Sequence, residues 1–557
     1  MARGWRPPLI LVAFLALAAL GALLAGAAQG APWASPGTGT TFDMNLLQSS
    51  AGGSVDTISA PCHYRMDDTI TISATDTLVI DAGCWLEFDA NQNLTILGRL
   101  LVNGTGASPV LFEVNDNTPV EGEWDGVTFA GVAFAPSSVQ NLSIQYSTFG
   151  LRCLGCQNLT VANLSVTLNS GDGILVLGNA WNLSFWDISV AITTYTSQSP
   201  IGISRATNVT GGRVSATGTL SVLTLWNISN VSFEGPLTGS GIRRFAAWLD
   251  NATNLTLSGL TGTSYPAGVL LTRSSNVTLF DIDLSTTSAP ILGAAQVDRL
   301  TLTNLSGTAS SGSAVLASNL TNSTMDRVSV TGTRYVIALS DSRFVAVVNA
   351  TAVGAGPAFS ANRTTSLWVN DSSFQGGNPA AVNLNASSAV FLRNVGATGS
   401  AAGFLVSGGS GVLINDSSAV GNLGPGARFL NSSRGGLART QLSSNIGGGL
   451  ALVNASNFTL DACNLASNTG AGLSASASTL SVAVSNISGN GEEGVVLTNG
   501  TRLDSVALVV ESNGRDGLWA RGGSLNLTGA TVRLNGLNGT RAEGASLNLT
   551  DGVFERN

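Results

Sequence analysis

The sequence predicts an all-β fold, a solenoid of short coils stacked along one axis. Three observations support this prediction. Near the C-terminus asparagine returns at steps of about 22 to 23 residues, a fixed period typical of repeat architectures. Apolar residues two apart, such as Leu525 and Leu527, suit short strands with one buried face. Asn-Gly and Gly-x-Gly steps between these strands predict tight turns with positive φ angles.

The recurring asparagines occupy one position per coil. A unit of about 22 residues cannot enclose a core of its own, so each coil must bury its apolar edge against the next coil. Asparagines at equivalent positions would then stack and bond along the axis through their side-chain amides. We therefore expect a structural ladder of Asn422, Asn445, Asn468, Asn490, Asn513, Asn535 and Asn557.

The first coils carry strand-like segments that are interrupted by glycine, for example from Leu78 to Phe88 and from Leu94 to Gly104. Together with the asparagine repeats, this order resembles the right-handed parallel β-helix repeat proteins of the pectate-lyase-like superfold, of the secreted or surface type. The resemblance runs from about Thr69 to the last residue. It implies about 20 coils and, at roughly 4.8 Å per stacked strand, a rod on the order of 95 Å long. Because this superfold carries many activities, the resemblance predicts the fold and leaves the function open.

Three segments follow from the order of these patterns. In residues 1–30, Arg3 and Arg6 precede an apolar run that ends in small residues, which predicts a signal peptide. The alternative is an uncleaved N-terminal anchor, because the run approaches the roughly 20 residues of a spanning helix. Residues 31–61 are rich in Gly, Ser, Thr and Pro and are expected to form a linker or an N-terminal cap. Residues 62–557 are predicted to form the β-helix, and we expect its C-terminal end to be incomplete because the chain stops on a ladder asparagine.

The composition indicates an exported protein. Only 10% of the residues are charged, and the net charge is −8, which argues against nucleic-acid binding. All 25 basic residues are arginine, so chemistry that needs a lysine Schiff base is excluded. We expect a secreted or extracellular location at the cell surface, with a membrane contact only through an uncleaved N-terminal segment or a C-terminal anchor beyond the sequence.

Five cysteines suit an oxidising compartment. Cys62 and Cys84 are one coil apart and are disulfide candidates, and Cys153 and Cys156 form a second candidate pair that closes a small loop. The alternative for the second pair is a redox site or half of a metal site. Because the chain has a single histidine, we expect no metal and no cofactor; Ca²⁺ enters only if the protein is a polysaccharide lyase.

The motif Asn-x-Ser/Thr occurs about 28 times, and each copy is a potential N-glycosylation site in an exported protein. A heavily glycosylated exterior would shield the rod. The alternative is that a strand repeat rich in Ser, Thr and Asn generates these motifs by composition alone.

An enzyme of this superfold would need clustered carboxylates on the outer face. Around Asp281 and Asp283, strand alternation predicts that Phe280 points inward and both carboxylates point outward. Asp187 occupies the matching position further back, and Arg213 follows one coil later, so these two residues are equally suited to an ion pair between coils. The histidine-containing and Asn-Thr-Asp signatures of pectin hydrolases are absent from the sequence. We therefore expect a non-enzymatic role and keep an enzyme that cleaves polysaccharide as the alternative.

A binding protein would need exposed aromatic rings. Trp181, Trp186 and Trp226 fall within two or three coils and are candidates for a platform that stacks on sugar rings. The alternative is that these rings pack into the core.

We predict an exported, non-enzymatic cell-surface β-helix protein that presents glycans or binds carbohydrate or other cell-surface components. The first alternative is a polysaccharide lyase or glycoside hydrolase with outward aspartates. The second alternative is a structural component of a surface layer. No nucleic-acid partner is expected, and the oligomeric state is left open.

Overall fold

The chain forms a right-handed parallel β-helix of about 21 turns. This result comes from a computed structural model, which describes residues 32–131, 136–192 and 199–557. Strands make up 64% of the structure and helices 2%, so the predicted fold class and the expected number of about 20 coils are confirmed. The predicted signal segment at residues 1–30 lies outside the described residues.

The coil that contains residues 201–217 shows how the chain turns. Residues 201–204 form face A, residues 209–212 form face B and residues 214–217 form face C. Arg205, Asn208 and Arg213 lie at the corners, with φ angles of 56°, 55° and 52°. Residues 206–207, between the first two corners, form a short A–B edge. A loop then leads from face C to face A of the next coil.

The helix and the strands follow one another in a simple order, in which strands that run through corners are continuous across two or three faces. The helix is α1 (Met44–Ala51), and a short 3-10 turn at Gly52–Ser54 follows it. The strands are β1 (Trp33–Ala34), β2 (Thr41–Phe42), β3 (Val55–Ser59), β4 (His63–Met66), β5 (Ile70–Ile72), β6 (Thr77–Asp81), β7 (Trp85–Phe88), β8 (Asn93–Ile96), β9 (Arg99–Asn103), β10 (Val110–Val114), β11 (Gly126–Ala130), β12 (Ser137–Gln145), β13 (Leu151–Leu154), β14 (Gln157–Thr167), β15 (Ile174–Leu177), β16 (Ala180–Ala191), β17 (Ile201–Thr217), β18 (Ser221–Phe233), β19 (Leu237–Ser240), β20 (Phe245–Ser258), β21 (Leu260–Tyr265), β22 (Ala267–Thr286), β23 (Leu292–Ala309), β24 (Val315–Gly332), β25 (Ile337–Ser340), β26 (Arg343–Val348), β27 (Thr351–Gly354), β28 (Phe359–Asn362), β29 (Thr365–Gln375), β30 (Val382–Asn385), β31 (Ser388–Thr398), β32 (Phe404–Ser407), β33 (Ser410–Asn415), β34 (Ser418–Val420), β35 (Ala427–Leu430), β36 (Gly436–Ala438), β37 (Gln441–Ser443), β38 (Leu450–Val453), β39 (Phe458–Asp461), β40 (Asn464–Ala466), β41 (Leu473–Ser476), β42 (Thr479–Ala483), β43 (Asn486–Ser488), β44 (Val495–Thr498), β45 (Arg502–Val506), β46 (Val509–Glu511), β47 (Leu518–Thr528), β48 (Thr531–Arg533), β49 (Thr540–Thr550) and β50 (Val553–Glu555).

The N-terminal end of the stack is covered by α1. Asp43 caps this helix by accepting a hydrogen bond from the backbone N–H of Leu46 at 2.7 Å. Met44 and Leu47 bury their side chains, so the helix closes the dry interior at this end. Strands β1 and β2 pair in parallel with β5 and β6, while β3 and β4 form an antiparallel hairpin. The residues before Cys62 thus cap the rod and also supply its first parallel strands.

The core is one continuous column of apolar side chains. Within each face of a coil, inward positions recur at every second residue and stack on their equivalents in the neighbouring coils. Aromatic rings continue this stacking, as where Phe88 lies parallel to Trp124 with ring centroids 4.2 Å apart. Fully burying one large apolar side chain contributes about 1.5–3 kcal/mol, so the column is the main source of stability.

The turn chemistry differs from the expected role of the Asn-Gly steps. Gly491, Gly514 and Gly536 follow ladder asparagines but do not have positive φ angles. The positive φ is carried by the residue before the asparagine, for example Ser512 at 55° and Leu534 at 56°. Glycine is required here because an added Cβ at Gly514 would lie 2.3 Å from the carbonyl oxygen of Gly491. The prediction that these glycines supply positive φ angles is therefore wrong. They are needed because they let neighbouring coils approach closely.

Candidate functional site

The seven periodic asparagines form one column, in which all but the terminal Asn557 are buried. In each step, the backbone N–H and the side-chain Nδ2 of one asparagine donate to the Oδ1 of the next, at 2.8–3.2 Å. Each Nδ2 also donates to a backbone carbonyl, as from Asn490 to Leu465 at 3.0 Å. Since the amides of this column are bonded to each other and to the backbone, we assign it a structural role. The column joins Asn422, Asn445, Asn468, Asn490, Asn513, Asn535 and Asn557.

The catalytic candidates Asp281 and Asp283 accept hydrogen bonds from residues of the next coil. Asp281 lies at a corner with φ 53°, so the strand alternation restarts there and Phe280 remains half-buried on the outside. The prediction that Phe280 points inward is therefore wrong. Asp281 accepts a hydrogen bond from Asn304 at 2.8 Å, and Asp283 accepts one from Ser306 at 2.9 Å.

Asp187 forms an ion pair with Arg213 on the next coil, where two guanidinium nitrogens contact the two carboxylate oxygens. The hydrogen bond from this arginine holds the pKa of Asp187 below its ordinary value. Asp341 with Arg363 repeats the arrangement elsewhere on the rod, at 2.6 and 2.7 Å. At these corners an ion pair between aspartate and arginine joins neighbouring coils, whereas other corners use a hydrogen bond between two asparagine side chains.

The three candidate tryptophans lie at different positions around the coil. Trp181 is on the A–B edge and 38% exposed. Trp186 is on face B, where its Nε1 donates to Ser184 at 3.0 Å and the guanidinium of Arg213 lies 5.6 Å from the ring centroid. Trp226 is on face A, and its strand neighbours at this position are Ser204 and Asp250. The structure therefore does not join them into one platform.

Trp181 lines an open depression of about 620 Å³, which we call the Trp181 depression. Among the residues that the structure describes, its polar groups are three amides, one hydroxyl, one guanidinium and the indole N–H, and no carboxylate lines it. Arg205 forms no ion pair with any residue that the structure describes. The volume falls within the range of small-molecule sites. The lining residues are Asn179, Ala180, Trp181, Arg205, Thr207, Asn208 and Asn227.

Many potential glycosylation motifs have a common origin in the coil geometry. The asparagine takes a corner with positive φ, the next residue points into the core, and the hydroxyl residue points outward on face B. Asn208, Val209 and Thr210 show this pattern. Six consecutive coils repeat it, and their corner asparagines are linked by Nδ2–Oδ1 hydrogen bonds of 2.7–3.2 Å. These asparagines are Asn158, Asn182, Asn208, Asn230, Asn254 and Asn276.

A polar cluster on face A was not found from the sequence. Asp125 and Asp172 lie at equivalent positions two coils apart, because Val127 and Ile174, two residues after them, occupy the same position of face A. Between them, Arg152 points outward and donates from Nε to Thr128 at 3.2 Å, with its guanidinium 5.3 Å from the ring centroid of Phe149. The shared Asp-Gly step before a strand was the signal that could have identified this cluster.

Burial shifts the ionisation of this cluster. It raises the pKa of Asp125 and lowers the pKa of Arg152, and the charge of each partly offsets the effect on the other. Burial also raises the pKa of Asp172 to about 7, although the backbone N–H of Ser199 donates to this carboxylate at 2.6 Å. Asp172 is buried, so Asp125 and Arg152 are the more accessible members.

Disulfides join Cys62 to Cys84 and Cys153 to Cys156. Cys463 is a buried free thiol, and burial raises its pKa to about 11. Within residues 32–131, 136–192 and 199–557, no group of three or more His, Cys, Asp or Glu side chains is arranged to hold a metal ion. Across the same part of the chain, no helix is long and apolar enough to cross a membrane.

Comparison with known proteins supports the architecture. Residues 380–536 match the family model described as the right handed beta helix region. No curated protein sequence matches the chain.

Solved structures that align with the chain include three proteins of low sequence identity. A double mutant of the periplasmic alginate epimerase AlgG is 11% identical over 100% of this chain and 99% of its own, with a TM-score of 0.17. An alginate lyase from Paenibacillus sp. is 11% identical over 63% of this chain and 99% of its own, with a TM-score of 0.19. A double mutant of the tailspike protein of E. coli bacteriophage HK620 is 10% identical over 75% of this chain and 74% of its own, with a TM-score of 0.26. At these TM-scores we draw no conclusion about activity from the likenesses.

Proposed function

We propose that this protein is an exported β-helix rod that binds carbohydrate in the Trp181 depression without cleaving it. The observation that carries the proposal is a partly exposed indole beside amide, hydroxyl and guanidinium groups. An indole face packs against the apolar face of a sugar ring, while amides and hydroxyls exchange hydrogen bonds with its hydroxyl groups. Because Arg205 is the only charged group among the described lining residues, the depression suits neutral and anionic saccharides.

Export is supported by the two disulfides, which persist in oxidising compartments. Glycan presentation is the weaker half of the predicted function. The coil geometry accounts for the stacked Asn-x-Ser/Thr motifs without glycosylation, because each of their three positions has a structural role. We therefore favour a rod that binds sugars over a rod that displays them.

A glycan array with the purified protein tests the proposal. We expect wild-type protein to bind a defined set of saccharides and Trp181→Ala to lose about tenfold in affinity, or about 1.4 kcal/mol, since a stacked ring contributes about 0.5–1.5 kcal/mol in addition to its buried area. Trp368→Ala is the matched control, because this ring is 42% exposed on face B of other coils and does not line the depression. Absence of binding, or equal loss in both variants, would contradict the proposal, and ordered self-assembly without binding would favour a surface-layer component.

The alternative is a polysaccharide lyase or hydrolase that uses Asp125 and Arg152. The observation in its favour is that burial perturbs both pKa values on adjacent coils, as is common at functional sites. In that case Asp125→Asn would abolish the release of reducing ends or unsaturated uronides, and Asp281→Asn would leave it unchanged. If wild-type protein releases no product from a broad polysaccharide panel, this alternative is excluded.

A further inference from the structure

Ser59, His63 and Glu87 form a hydrogen-bonded chain at the N-terminal end of the rod. The Ser59 hydroxyl lies 3.2 Å from Nδ1 of His63, and Nε2 of His63 lies 2.9 Å from Oε1 of Glu87. A carboxylate accepts only, so Nε2 carries the proton toward Glu87 and Nδ1 of neutral His63 accepts from the serine hydroxyl. The serine is exposed, whereas the side chains of His63 and Glu87 are each 15% exposed.

The surrounding structure holds the imidazole in place. The ring of His63 stacks on the indole of Trp85, with centroids 3.9 Å apart and an interplanar angle of 5°. The same two residues pair across β4 and β7, next to the Cys62–Cys84 disulfide. Trp85 is held in turn by a side-chain hydrogen bond to Glu113. The hairpin register places Ser59 directly opposite His63.

We propose that Ser59 is an activated nucleophile that takes part in acyl transfer from small esters, with His63 as the general base and Glu87 as the positioning residue. A nucleophile within about 2.6–3.2 Å of a base, with the base oriented by a third group, is the diagnostic arrangement for such sites. This activity is independent of carbohydrate binding in the Trp181 depression, because none of the three residues lines that depression.

The reaction balances with groups at the site and water. Ser59 Oγ forms a bond to the acyl carbon while His63 Nδ1 takes its proton. The bond to the leaving alkoxide breaks, and His63 returns the proton to that oxygen. Water then attacks the acyl-serine and passes a proton to His63. The bond between Oγ and the acyl carbon breaks, Ser59 regains the proton, and a carboxylic acid leaves.

Labelling with a fluorophosphonate, followed by peptide mass spectrometry, tests the proposal on the full chain. We expect one adduct on Ser59 and none in Ser59→Ala. His63→Gln should lower the labelling rate by about 10²-fold, the usual scale of general-base assistance. Ser108→Ala is the matched control, because Ser108 is an exposed serine of the same N-terminal region and its variant should label normally. The single histidine of the chain makes the His63 result unambiguous.

The positioning role of Glu87 has its own readout. Glu87 is the carboxylate that accepts the hydrogen bond from Nε2 of His63 and so fixes the tautomer of the imidazole. In Glu87→Gln the labelling rate should fall about tenfold, and the ¹⁵N chemical shifts of the single histidine should report a loss of the tautomer that carries its proton on Nε2. Unfolding temperatures equal to that of wild type would show that His63→Gln and Glu87→Gln still fold. No adduct on Ser59 in wild-type protein, or an undiminished rate in His63→Gln, would overturn the proposal.

Discussion

Asn468 donates two hydrogen bonds to one atom of Asn490, the side-chain oxygen Oδ1. The backbone N–H of Asn468 lies 3.1 Å from this oxygen, and its side-chain Nδ2 lies 2.9 Å from it. Asn490 donates in the same way to Oδ1 of Asn513. Each side-chain oxygen therefore accepts the backbone N–H of a turn in the neighbouring coil and links the two coils. Buried polar groups that are fully bonded in this way hold the stacking register.

Replacing one ladder amide should destabilise the rod. Asn490→Ala leaves the backbone N–H and Nδ2 of Asn468 buried without their acceptor, and each such group costs about 1–3 kcal/mol. We expect a loss of about 2–4 kcal/mol in the free energy of unfolding, measured by denaturant titration. Asn464→Ala is the control, because this half-buried side chain accepts a single bond from Asn486 and should cost less than about 1.5 kcal/mol. Equal effects would contradict a special role for the buried column.

Adding a methyl group between coils should be costly where the backbones approach each other. In Gly514→Ala the new Cβ would lie 2.3 Å from the carbonyl oxygen of Gly491, so the coils must shift. Overpacking of this kind destabilises by about 1–3 kcal/mol. At Gly106 an added Cβ has nothing within 4 Å, so Gly106→Ala should stay within about 0.5 kcal/mol of wild type. Thermal unfolding of the two variants measures the difference, and a neutral Gly514→Ala would refute the close-approach explanation.

The ion pair between Asp341 and Arg363 should make stability depend on pH. The hydrogen bond from Arg363 lowers the pKa of Asp341 in the folded state. A carboxylate with a lowered folded pKa adds stability above its unfolded pKa of about 3.9, and this contribution is lost as the pH falls through the folded value. Arg363→Gln should therefore unfold at a lower temperature than wild type at pH 7.

The difference in unfolding temperature between Arg363→Gln and wild type should narrow below about pH 3.9. Arg428→Gln is the control, because Arg428 is exposed and forms no ion pair within the described part of the chain. A gap that is constant between pH 7 and pH 3 would show that the arginine acts through packing alone.

Removing the two disulfides one at a time should have unequal effects. The bond between Cys62 and Cys84 spans 22 residues, so its loss is expected to cost about 3 kcal/mol through the entropy of the unfolded chain. The bond between Cys153 and Cys156 spans 3 residues and should contribute about 2 kcal/mol. Denaturant unfolding of Cys62→Ala and Cys153→Ala checks this order. A larger effect in Cys153→Ala would contradict the chain-entropy explanation.

The repeat in the sequence was enough to predict the solenoid and to identify the residues of its buried amide column. In a stack of coils each residue contacts its equivalents one period away, so a period in the sequence translates directly into contacts in space. Asn445 and Asn468 are 23 residues apart in the chain and hydrogen-bonded in the structure for this reason.

The tertiary structure alone decided which face each side chain occupies. The outward and inward positions depend on which residue takes the positive φ at each corner, and many residue types do so here, including Asp281 and Arg205. For this reason strand alternation misplaced Phe280, and the sequence did not show that Trp181 and Trp186 lie at different positions around the coil. The contact of Ser59 with His63 and Glu87 depends on an antiparallel hairpin packed beside a parallel coil, a junction that no period in the sequence describes.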